Sequence, residues 1–223
     1  MKTEKVGKGV LSVLAGFAVM ATVAQGQGTA GIENSGHNFG IASWNTDTQE
    51  ICLPCHAPHG NGFPIDGMPL WNHEPTTQTF IPYGVTYNSD TLDAIVGQPE
   101  GASKLCLSCH DGTVALDSWT RHAGSTFMGF GPGTINHWAF GSDLGTTHPL
   151  SFTYDTALAN ADGELHDPST IVPELGKSIT DALLFNGKME CSSCHDVHNA
   201  AGHDALLHIE NIGSALCLTC HDK

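Results

Sequence analysis

One long apolar run stands out in an otherwise broken pattern. Val10 to Val23 is almost wholly apolar and follows a basic start at Lys2, Lys5 and Lys8. Thr22-Val23-Ala24 then offers a cleavage point before Gln25. This is the layout of a secretory signal peptide over residues 1–24. The run falls short of the about 20 residues a bilayer span needs, and no cysteine near the cleavage point offers a lipid anchor. Residues 25–223 are therefore expected to be an exported chain without a transmembrane span.

Beyond Ala24 the pattern predicts little regular structure. Few windows carry the Ala, Leu, Glu and Lys content of long helices. Leu150, Phe152 and Tyr154 alternate with polar residues, as in a half-buried strand. Asp155 to Asp162 and Ser178 to Phe185 read as short helices, with Ser178 or Thr180 as a cap for the second. A Gly- and Thr-rich stretch with Trp119, Phe127, Phe130, Trp138, Phe140, Phe152 and Tyr154 predicts turns and a few short strands. Loops bury little apolar surface, so something other than side chains is expected to fill much of the core.

Charge narrows the partners. Without the signal segment the chain keeps 5 basic and 22 acidic residues, a net charge of −17 with His neutral. Such a chain repels nucleic acid and anionic membrane surfaces and attracts cationic partners.

The eight cysteines decide the chemistry. They fall in four pairs, Cys52/Cys55, Cys106/Cys109, Cys191/Cys194 and Cys217/Cys220, and each second cysteine is followed at once by histidine: His56, His110, His195 and His221. C-x-x-C-H is the attachment signature of c-type haem. Two thiols one turn apart add to the two vinyl groups of one porphyrin, and the adjacent imidazole becomes the proximal iron ligand. Two zinc sites or four disulfides would also use eight cysteines. Neither explains a histidine after every pair when histidine makes up 14 of 223 residues.

Each iron also needs a second axial ligand. Only Met68, Met128 and Met189 follow the signal segment, whereas ten histidines lie outside the motifs, so bis-histidine ligation is expected. His59 lies three residues after His56, and His198 three after His195. A histidine so close to a proximal ligand cannot reach the far face of the same haem, but it can reach a second haem packed alongside. The alternative is a surface histidine after a short turn. His148 is held extended by Pro149 and adjoins the Leu150–Tyr154 strand, which suits a ligand as well as a turn. His73, His122, His137, His166, His203 and His208 are expected to face solvent or bond haem propionates.

The motifs repeat as a unit. Ile51–His59 and Lys104–Asp111 in the first half match Glu190–His198 and Ala215–Asp222 in the second, each unit reading C-x-x-C-H-x-x-H followed by L-C-L-[ST]-C-H-D. This gives one tetrahaem cytochrome domain over 25–223, built of two-haem modules at about 37–111 and 148–223 with a haem-free stretch between. The fold class expected is a multihaem cytochrome c: mostly loops and short helices, a few short strands, and haems forming the core. The last motif ends two residues from the C-terminus, so earlier residues or another molecule must cover its haem.

C-x-x-C-H-x-P-H, L-C-L-S-C-H-D-G, H-P-L-S-F-x-Y and C-S-S-C-H-D-V-H, in this order, resemble bacterial tetrahaem cytochromes with doubled C-x-x-C-H motifs. Within these the chain is similar to the OmcE-like group, whose subunits stack into extracellular cytochrome filaments. The resemblance spans about residues 37 to 222. It implies four covalent bis-histidine haems with His37, His59, His148 and His198 as distal ligands; His37, followed here by Asn38 where Asp is usual, would otherwise read as part of a polar loop. It also implies a homopolymer in which a histidine of one subunit completes a haem of the next, with His37 and the last motif as junction candidates. The expected function is electron transfer to redox partner proteins or extracellular acceptors, at the cell surface or outside it. A soluble periplasmic or surface shuttle is the plainer alternative. A multihaem oxidoreductase is the third: it needs an open axial position and local acid–base groups, and no C-x-x-C-K motif occurs.

Overall fold

A computed structural model describes residues 29–59, 63, 65, 68, 70–86, 89–120, 122–129, 134–135 and 139–223. The signal segment, Phe130, His137 and Trp138 lie outside the described residues. Among those described, no helix is long and apolar enough to cross a membrane.

Regular structure is sparse. Five short α-helices are described: α1 (Gly101–His110), α2 (Thr156–Asp162), α3 (Ile179–Leu183), α4 (Cys191–Cys194) and α5 (Ala215–Cys220). Six two-residue strands pair into three ribbons. β1 (Phe127–Met128) runs parallel to β2 (Thr134–Ile135); β3 (Phe152–Thr153) is antiparallel to β6 (Lys188–Met189); β4 (Ile171–Val172) is antiparallel to β5 (Lys177–Ser178).

Local sequence rules account for several of these elements. Asp155 caps α2 by accepting from the Leu158 N–H, and Gly163 ends it in the left-handed conformation. Ser178 caps α3 by accepting from the Asp181 N–H. Ser178→Ala should cost about 1 kcal/mol, measurable as a lowered unfolding temperature. The alternating segment delivers Phe152 and Tyr154 to the interior at 7% and 2% exposure, with Thr153 outside.

The polypeptide builds a core of its own. Phe152, Tyr154, Val172, Ile179, Leu183, Met189, Ile209 and Leu216 form one buried cluster, and Cys194 and Cys220 pack against it. Phe80, Leu107 and Leu144 form a smaller cluster around α1. The main cluster draws on the stretch between the second and third motifs, so that stretch is structural and not a spacer.

Gly112 is among the tightly constrained glycines. It lies just past α1 with φ +77°, and a Cβ there would lie 2.6 Å from the Met128 carbonyl oxygen. Gly112→Ala should cost about 2 kcal/mol or more, lowering the unfolding temperature by about 4–8 °C; a calorimetric scan checks it.

Candidate haem sites

All four C-x-x-C-H segments adopt one helical turn. In the first, third and fourth, the histidine N–H donates to the first cysteine's carbonyl: His56 to Cys52 (2.8 Å), His195 to Cys191 (3.1 Å) and His221 to Cys217 (3.0 Å). The second lies at the end of α1. A helical turn places residues three and four apart on one face, so both thiols and the imidazole point the same way. Sequence spacing thus becomes the geometry that one planar, two-vinyl ligand needs.

Distant segments brace each motif. Asn72 holds the first, its N–H donating to the Cys55 carbonyl (2.9 Å) and its side chain to the Leu53 carbonyl (2.6 Å). The last is held by residues 164–166: the His166 N–H donates to the Cys220 carbonyl (2.8 Å), the Asp222 N–H to that of Glu164 (2.8 Å), and the Tyr154 hydroxyl reaches the His166 carbonyl (2.7 Å). Earlier chain therefore packs against the last motif.

Three of the four motif histidines face a second histidine. His37 and His110 have ring centroids 6.1 Å apart, His56 and His198 6.2 Å, and His148 and His221 6.4 Å. An imidazole nitrogen lies about 2 Å from a metal it binds, and the ring centre about 1 Å beyond, so two rings on opposite sides of one metal sit about 6 Å apart. The fourth motif histidine, His195, and the remaining candidate, His59, are both exposed. The structure thus brings His37, His148 and His198 each to a motif histidine. His37 and the last motif, the expected junction ends, both find partners within the chain.

Long-range contacts set these pairs. Asn199, next to His198, ties down the start of the described chain: its carbonyl accepts from the Gly31 N–H (2.8 Å), and its side chain donates to the Thr29 and Gly31 carbonyls (3.0 and 3.1 Å). This brings His37 towards the third motif while it faces the second.

The residues suit a metal-bound imidazole. Among the described residues, the Ala205 carbonyl lies 2.8 Å from His195 Nδ1 and the Pro149 carbonyl 2.9 Å from His148 Nδ1. With Nδ1 donating to that carbonyl, Nε2 is left as the ligand atom. Burial, followed by neighbouring His110, His195 and His198, lowers the His37 pKa to about 4, so the ring is neutral. His148, His221 and Cys220 share the wall of an open cleft with Phe152, Tyr154, Leu165 and Met189, a mostly apolar lining that suits an apolar, planar group.

The thiols are free. Burial, then nearby thiols, pushes Cys55 to about 12, Cys194 to about 11 and Cys220 to about 12. Among the described residues no group of three or more His, Cys, Asp or Glu is arranged to hold a metal ion by itself.

Residues 185–223 match the family described as the doubled CXXCH motif. The chain carries c-type haem motifs. Paired C-x-x-C-H segments indicate covalently bound c-type haem and an electron-carrying role. Among curated proteins, none matches the chain.

The spare histidines divide differently from the sequence expectation. His73 is 1% exposed, with its ring nitrogens 2.8 and 3.0 Å from the Glu74 and Ala115 carbonyls and Nε2 3.5 Å from the Cys109 sulfur. It is a packing residue beside the second motif and does not face solvent. His122 bonds the Asp117 carbonyl and stacks on Trp119 at 4.7 Å, and His208 bonds the Ser192 carbonyl (2.9 Å). His203 buries Nδ1 without a partner. Nothing in the sequence near His73 separates it from a ligand; its burial depends on contacts with residues 40 positions away.

Proposed function

We propose that the chain is an electron carrier that holds four c-type haems, each between two histidines. Cys52 and Cys55 would attach one haem with His56 and His198 as ligands; Cys106 and Cys109 a second with His110 and His37; Cys217 and Cys220 another with His221 and His148. The remaining site, at Cys191 and Cys194, takes His195 and, by exchange between the two C-x-x-C-H-x-x-H segments, His59. The observation that carries this reading is the recurrence of one spacing, 6.1 to 6.4 Å, in three pairs that each contain a motif histidine. Bound haem supplies a one-electron ferrous–ferric couple, whose potential two imidazoles keep low. The chain's own part is to fix the thiols on one face, keep the imidazoles neutral, and close both axial positions. At the three paired sites, closed positions leave no site for a substrate, which favours a carrier over an oxidoreductase.

The finer form of the proposal is an exported subunit of an extracellular cytochrome filament, passing electrons to redox proteins or extracellular acceptors; it rests on the sequence resemblance. His59 and His195 are then the candidates for ligation between subunits, because the other three pairs meet within one chain. Electron paramagnetic resonance of the oxidised protein tests the ligation, with low-spin signals alone as the expected result. Electron microscopy of His59→Ala tests the assembly. Loss of filaments is expected if His59 is lent to a neighbour, and monomers in the unaltered protein contradict the filament.

A further inference from the structure

Among the described residues Glu190 is the most deeply buried carboxylate, at 1% exposure. It immediately precedes the third motif and takes no part in attachment or ligation. Its Oε2 accepts from the Ser103 N–H in α1 (3.2 Å) and from the Ser151 hydroxyl beside β3 (2.9 Å). At its own helix it forms a capping box with Ser193, whose hydroxyl accepts from the Glu190 N–H (2.9 Å).

The serines extend the joint. The Ser103 hydroxyl accepts from the Cys191 N–H (2.9 Å), and the Ser151 hydroxyl accepts from the Glu100 N–H (3.0 Å). Ser103 and Ser193 are themselves 0% and 1% exposed. Glu190 Oε1 has no hydrogen-bond partner and faces Gly101, where a Cβ would lie 3.3 Å away. A buried carboxylate is unfavourable unless bonded, and an apolar side chain would fill this space without that cost. What the carboxylate adds is direction: three segments are tied to one point.

Two of those segments carry haem motifs. α1 bears Cys106, Cys109 and His110, and α4 is Cys191–Cys194 itself. The Cys106 and Cys191 thiols lie side by side across the joint.

We propose that Glu190 is a positioning residue that fixes the second attachment helix against the third, and with it the separation and angle of the two haems they hold. The inference rests on the four-haem reading. The distance between two redox centres controls how fast electrons pass between them, so a joint that is rigid here matters more than one that is merely stable.

The test uses the exported, haem-loaded protein. Haem content is measured first, then the circular dichroism of the Soret band, where neighbouring haems couple according to distance and angle. Glu190→Ala should keep its haems but change the coupled signal, and Glu190→Gln, which retains an acceptor for Ser103 and Ser151, should restore it. Val172→Ala, a buried change in β4 that removes none of the joint's hydrogen bonds, should lower stability and leave the signal alone. An unaltered signal in fully loaded Glu190→Ala overturns the proposal, as does an equal change in Val172→Ala. If Glu190→Ala is not recovered, Ser151→Ala, which removes one bond, should shift the signal in the direction of any partial loss, and no shift overturns the proposal. A wild-type protein lacking haem at the second or third motif refutes the underlying reading instead.

Discussion

Cys191→Ala is expected to abolish folding around the third motif together with its haem, the largest single-residue effect the account contains. Cys191 opens α4, its N–H bonds Ser103 in α1, and its thiol lies against that of Cys106. Losing the thiol removes one of the two covalent anchors of a haem, and with it the group that organises the turn. The expected product has one haem fewer by absorbance of the pyridine complex, and increased protease sensitivity around residues 190–208. A Cys191→Ala protein that folds and keeps four haems would refute the account at this point.

His198→Ala is the second. Its ring faces His56 at 6.2 Å, and its side chain is 64% exposed. Truncating an exposed side chain away from a cap or a core changes stability by about 0.5 kcal/mol or less. Any large effect therefore reports ligation. One haem should change from six-coordinate low-spin to five-coordinate high-spin, visible by paramagnetic resonance, while haem content and unfolding temperature hold. His208→Ala is the control. It loses the bond to the Ser192 carbonyl (2.9 Å), at a cost of about 1 kcal/mol, and should leave the spin state unchanged.

The legible parts of this protein are those set by short spacings. The attachment turns follow from cysteines three apart with a histidine after them, because one helical turn is closed within five residues. The caps Asp155 and Ser178 follow from side chains that bond the backbone three residues on. The β4–β5 ribbon was signalled only by Pro173 and Gly176 around a tight turn, where Gly176 has φ +64°; two-residue strands are too short to show a period.

The histidine pairs are different in kind. That His198 follows its motif at the same spacing as His59 indicates a second haem nearby, but not which. His56 against His198 and His37 against His110 depend on how remote segments dock, through contacts such as Asn199 with Gly31. The same holds for Glu190. Beside a haem motif it looks like a solvated charge, and only packing shows it bonded to Ser103 and Ser151. His73 was misplaced for the same reason: burial is a tertiary property, and a lone histidine carries no periodic signal.

Every C-x-x-C-H segment is expected to hold one covalent haem. The mass of the intact exported chain tests it most directly, read on denatured protein so that only covalent groups count. The expected mass is that of the polypeptide plus four haems, and one haem less in Cys191→Ala. A chain carrying fewer haems, or its eight cysteines as disulfides, contradicts it.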